Sequence, residues 1–86
     1  MNELIGAKVV LDTDTSYVYI GILEAVTDDC LVLAAVDVHD RNDVEITKEK
    51  YILETRRTGI TDNRKKVYVL RPHVVSVSAL DDVIKF

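Results

Sequence analysis

Apolar and polar positions along this chain fall into short runs separated by turn-forming clusters. KVVLDTDTSYVYIGILEAV holds two such runs, one over about Ala7 to Asp12 and a second over Tyr17 to Val26, with DTDTS as the turn between them. The second run sets Val18, Ile20 and Ile22 against Tyr17, Tyr19, Gly21 and Leu23, so both of its faces are apolar. That pattern suits a strand in a closed or tightly curled sheet. Gly21 in mid-strand marks a bend or bulge. TDD turns the chain into a third strand, Cys30 to Val38, and HDRNDVE follows as a polar loop.

TKEKYILETRRTGI supports two readings. Thr47 has the chemistry of an N-cap, Gly59 that of a C-terminal cap, and Arg56 and Arg57 would sit at the negative end of a helix dipole. A strand through YILET is the alternative over so few residues, and the caps favour the helix. After the loop TDNRKK, the runs KVYVL and HVVSVSAL give two more strands around Arg71-Pro72. Proline cannot donate to a ladder, so it belongs at the corner or on an edge. The prediction is a mostly β fold: a small five-stranded, strongly bent open barrel of the SH3-like or OB-like kind, the strand order suiting the former better. A helical or loop insert at about 40–66 separates strands three and four.

Length and composition narrow this further. The 86 residues are expected to form one domain, 1–86, with room for a modest core, and 48% are apolar. No apolar stretch approaches the roughly 20 residues of a membrane helix. The start MNELIGAKVVLD has an acid where a signal peptide places bases, so no membrane role is expected. Cys30 is the only cysteine and lies in the apolar run CLVLAAV, which fits a reducing cytoplasm and a buried thiol.

The net charge of −4 is unevenly spread. Residues 1–47 carry two bases, Lys8 and Arg41, against ten acids, whereas residues 48–86 carry nine bases against five acids. Opposite signs on the two halves suit head-to-tail self-association or a local anionic ligand.

Catalytic stock is thin, with His39, His73 and Cys30 alone, and no nucleophile–base pair is apparent, so the chain is read as no enzyme with no cofactor. Asp37 and His39 could project from one strand face toward a metal, but the run shows too few ligands, and no metal is expected. Asp28-Asp29 and Asp81-Asp82 read as solvated turn carboxylates.

Two segments together resemble the Sm-like (LSm/Hfq) family. Gly6, then Gly21 and Leu23, then Leu31-Val32-Leu33 follow the order of its first motif. Leu70-Arg71-Pro72 with Val74 and Val77 follow its second, an apolar strand ending in Ile-Arg-Gly before a β-branched strand, with Pro in place of Gly. The resemblance covers roughly 4–39 and 67–80. It departs at the amino end, too short for the family's helix, and in the longer insert. It departs also at the turn after strand two, where Thr27 and Leu31 occupy the positions of a base-binding Asp and Asn. Asp28 can slip into the first role, and nothing nearby supplies the second.

The resemblance implies a homo-oligomeric ring in which strand four of one subunit pairs with strand five of the next. That assigns Tyr68, Val69, Val75 and Val77 to the oligomer interface. Single-stranded RNA is the partner it implies, with Arg71 and the bases Arg56, Arg57, Arg64, Lys65 and Lys66 as the nucleic-acid-binding set. The alternative left open is an Sm-like assembly module without an RNA role, its bases meeting acids of a neighbouring subunit.

Overall fold

In a computed structural model, which describes residues 1–42 and 46–84, five antiparallel strands form one sheet. They are β1 (Lys8–Thr13), β2 (Tyr17–Val26), β3 (Cys30–Asp40), β4 (Arg64–Leu70) and β5 (Val74–Ala79). One helix, α1 (Lys48–Thr58), lies between β3 and β4, and short 3-10 turns cover Asn2–Leu4, Arg71–His73 and Leu80–Asp82. The sheet order is β4-β3-β2-β1-β5, so β4 and β5 are its two borders. The centre of the predicted HDRNDVE loop, positions 43–45, lies outside the described residues.

Alternation explains why both faces of β1 and β2 are apolar. Val9, Leu11, Leu23, Leu31, Leu33, Val36 and Val69 point into the curl of the sheet and form the main core. Val10, Val18 and Ile20 point the other way and are covered by Ile52 of α1 and by Leu80. Burial of side chains such as Leu11, Leu23 and Leu33, all fully enclosed, contributes about 1.5–3 kcal/mol each.

The sharp bend sits where mid-strand glycine predicts it. Pairing of β2 with β3 slips between Ile20 and Ile22, and Ala35, across the slip, takes a left-handed φ of 50°. An added Cβ at Gly21 would lie 3.0 Å from the Ala34 carbonyl oxygen and 3.1 Å from Val36 Cγ2. Only a residue without a side chain lets the two strands approach this closely there.

The 47–59 segment is a helix, and its caps act as the sequence suggests. Thr47 Oγ1 accepts from Lys50 N at 3.2 Å, while Gly59, at φ 95°, donates its N–H to the Thr55 carbonyl at 2.8 Å. Two boundaries differ from expectation by more than one residue. β3 continues to Asp40, because His39 and Asp40 still find partners in Val18 and Tyr17. β4 starts at Arg64, so the RKK of the predicted loop is strand, with Arg64 opposite Val36 and Lys66 opposite Ala34. Asn63 makes that early start possible. Its side chain imitates a strand residue, accepting from Val38 N at 3.1 Å and donating to Val38 O at 3.2 Å.

Candidate assembly and nucleic-acid interface

The corner Arg71-Pro72-His73 joins the two border strands and is held on both sides. The Arg71 backbone N–H donates to Asp29 O at 2.9 Å, and its Nη1 donates to Thr27 O at 2.9 Å. On the other side, Asp14 N donates to His73 O at 3.0 Å, and His73 Nδ1 lies 3.0 Å from Asp14 Oδ1. The corner therefore ties the β2–β3 turn to the β1–β2 turn. Proline fits because the 3-10 turn asks nothing of its missing N–H.

The β2–β3 turn is itself preorganised. Thr27 Oγ1 accepts from Asp29 N at 3.2 Å and Cys30 N at 3.0 Å, which leaves the Asp28 and Asp29 side chains in solvent. A shallow depression bounded by Met1, Glu3, Asp28 and Arg71 opens beside it. Glu3 is held below the usual carboxylate range, first by a backbone hydrogen bond and then by the terminal ammonium 3.0 Å away. Acids thus surround the one guanidinium, and a polyanion would meet it across a mixed-sign surface. Leu31 is fully buried in the main core, so no side chain at that position reaches the depression.

The other predicted bases are placed apart from Arg71. Arg64, Lys65 and Lys66 open β4 while Arg71 follows its far end, a separation of about 20 Å at the rise of an extended strand. Lys66 Nζ pairs with Glu24 at 3.2 Å, and Arg64 Nη1 donates to the Asn63 carbonyl at 2.9 Å. Lys65 is exposed, with no ion pair among the described residues. At the end of α1, Arg57 pairs with Glu54 at 2.8 Å, and Arg56 Nη2 donates to Asp81 O at 3.2 Å. The six cations are distributed over three places.

The border residues divide cleanly. Tyr68 is 62% exposed and Val75 69%, whereas Val69 is buried and Val77 is half-buried against the main core. Any role of Val69 or Val77 at a border is through backbone. Leu70, 57% exposed on the same strand as Tyr68, is an apolar border residue that the sequence reading passed over. Its signal was available: with Val69 inward, alternation turns Leu70 out.

His39 does not dissolve into a loop. It stacks on Tyr51 of α1, ring centroids 3.9 Å apart and planes 12° from parallel. Asp37 accepts from Asn63 Nδ2 at 3.2 Å. Among the described residues no three His, Cys, Asp or Glu side chains converge as a metal site. No described helix is long and apolar enough to cross a membrane.

No protein-family model matches the chain, and no curated protein matches it in sequence. Solved structures do. A Pyrococcus abyssii Sm protein in complex with a uridine heptamer aligns over 91% of this chain and 89% of its own, with a TM-score of 0.63 and 11% identity. The fold is Sm-like. A novel Sm-like archaeal protein from Pyrobaculum aerophilum aligns over the same 91% with a TM-score of 0.59 and 20% identity, and this chain spans 46% of its length. The helix between β3 and β4 packs through Ile52 on the sheet face that carries Val10, Val18 and Ile20, and β4 and β5 remain the two ends of the sheet order.

Proposed function

We propose that this chain is a self-assembling Sm-like module in which β4 of one copy pairs with β5 of the next. The observation that carries this is the pair of unpartnered border strands presenting Tyr68, Leu70 and Val75 to solvent. Unpaired strand edges with apolar side chains are costly in a lone molecule and are relieved by pairing. Because the two borders differ, pairing is heterologous, and copies close into a ring where the rotation permits. Light scattering at increasing concentration tests it: a closed multimer of fixed mass is expected, and a monomer throughout would remove the reading. No catalytic role is assigned.

A second reading is supported by Arg71. Its corner joins the β2–β3 and β4–β5 connections, the two places where the family resemblance puts the nucleotide pocket, and a structurally similar Sm protein is in complex with a uridine heptamer. In an assembly, this corner would recur once per copy along one surface and hold single-stranded RNA by its phosphates. Leu31, buried where the family has a base-reading amide, removes one source of base choice. Fluorescence anisotropy should therefore give similar affinities for oligo-U and oligo-A at low salt, falling as salt rises. Arg71→Ala should weaken both equally. Absence of binding to either oligomer leaves the assembly reading alone.

A further inference from the structure

The charges flanking the two borders bear on how copies meet, given the pairing proposed above, on which this inference rests. β4 begins with Arg64, Lys65 and Lys66, and the 3-10 turn after β5 ends with Asp81 and Asp82. Both acids are exposed, and their carboxylates have no ion pair among the described residues. Among those residues Lys65 is likewise unpaired, and the Arg64 guanidinium donates to its neighbour's backbone carbonyl with no ion pair. Lys66 is already matched by Glu24 and has less to offer a second partner.

β4 has seven residues and β5 six, so a centred pairing uses the whole of both. In an antiparallel arrangement, the Arg64 end of β4 falls beside Ala79 of the next copy, one turn from its Asp81 and Asp82. In a parallel arrangement the same cations fall beside Val74, next to Arg71 and His73. Over both ends, the first sets two bases against two acids and Arg71 near the neighbour's Arg71. The second sets the two bases near Arg71, and Arg71 near the two acids. The balance of charge favours the antiparallel arrangement. Asp62, just before β4, is a single acid against three bases.

We infer that Arg64 and Lys65 form an intersubunit charge lock with Asp81 and Asp82 of the neighbouring copy, which selects antiparallel pairing of the borders. These two bases, predicted for nucleic acid, then belong to the assembly surface. Electrostatic complementarity of this kind fixes register and rejects wrong orientations more than it adds raw affinity.

Charge reversal with rescue tests the lock, read as oligomer mass by light scattering and as self-association by sedimentation, with circular dichroism confirming the fold of each variant. Arg64→Glu with Lys65→Glu should weaken self-association about tenfold or more, as should Asp81→Lys with Asp82→Lys. The variant carrying all four changes should assemble nearly as the parent does. If the parent assembles but either reversal has no effect, or the fourfold variant is no better than the twofold ones, the lock is overturned and edge pairing stands. A reversal at Arg64 and Lys65 that lowers oligo-U affinity without lowering mass also overturns it. A parent that stays monomeric overturns the pairing itself.

Discussion

Gly21 shows how much a single missing side chain can decide. With the Ala34 carbonyl and the Val36 side chain both inside ordinary contact distance of any Cβ, Gly21→Val must push the bulge apart. We expect a loss of about 1–3 kcal/mol in urea unfolding, the range of other overpacked sites. Glycine in mid-strand made this bend legible in the sequence, but Ala35 did not announce its left-handed conformation, which alanine adopts only because the slip in β3 demands it. Tyr51 was less legible still. Its phenol is pushed well above its ordinary value, first by burial and then by the nearby Asp37 carboxylate, and its buried hydroxyl makes no well-formed hydrogen bond. The folded protein thus keeps a proton that the unfolded chain releases near pH ~10, so stability falls as pH rises beyond that point. Tyr51→Phe should make this alkaline loss shallower and cost little at neutral pH, checked by thermal melts from pH 7 upward.

At the scale of elements, α1 was readable from its ends. Thr47 and Gly59 carry conformational signals that need no tertiary context, and Thr47→Ala should cost about 1 kcal/mol by denaturant titration. Its middle was ambiguous because only Ile52 and Thr55 are buried, too few to set a period. What holds α1 against the sheet comes from far away in sequence. Asp12 lies 2.9 Å from Lys48 Nζ and 3.6 Å from an Arg41 nitrogen, while Val10, Val18 and Ile20 receive Ile52. The start of β4 was missed for a similar reason. Three consecutive bases read as loop, and only the side chain of Asn63, set against Val38, reveals that the ladder has already begun.

For the whole molecule, the order of strands and the position of the insert were legible, because alternation and turn chemistry repeat over the chain. The convergence of the candidate site was not. Nearness in sequence grouped Arg64–Lys66 with Arg71, yet an extended strand carries its two ends apart, and the partners that neutralise Lys66 and Arg57 are invisible without the fold. Assembly offers its own check at this scale. Placing a cation in the middle of either border, by Tyr68→Lys or Val75→Lys, should shift the molecule toward monomer in light scattering while leaving the melting temperature of the monomer nearly unchanged. Both positions are exposed, so nothing in the core moves. A multimer that survives both changes would place the contact elsewhere.

The corner at Arg71–His73 makes the two borders consecutive in the chain, one following the other with three residues between. Both edges that a neighbouring copy would grip, and the acids proposed to lock them, are thereby encoded in the single stretch 64–82. A detached peptide of that stretch would carry donor and acceptor edges together, and could be used to cap growing assemblies or to pull this protein from a mixture. Exchanging the same stretch between two such proteins would exchange whom each recognises, while the sheet that supports it stays as it was.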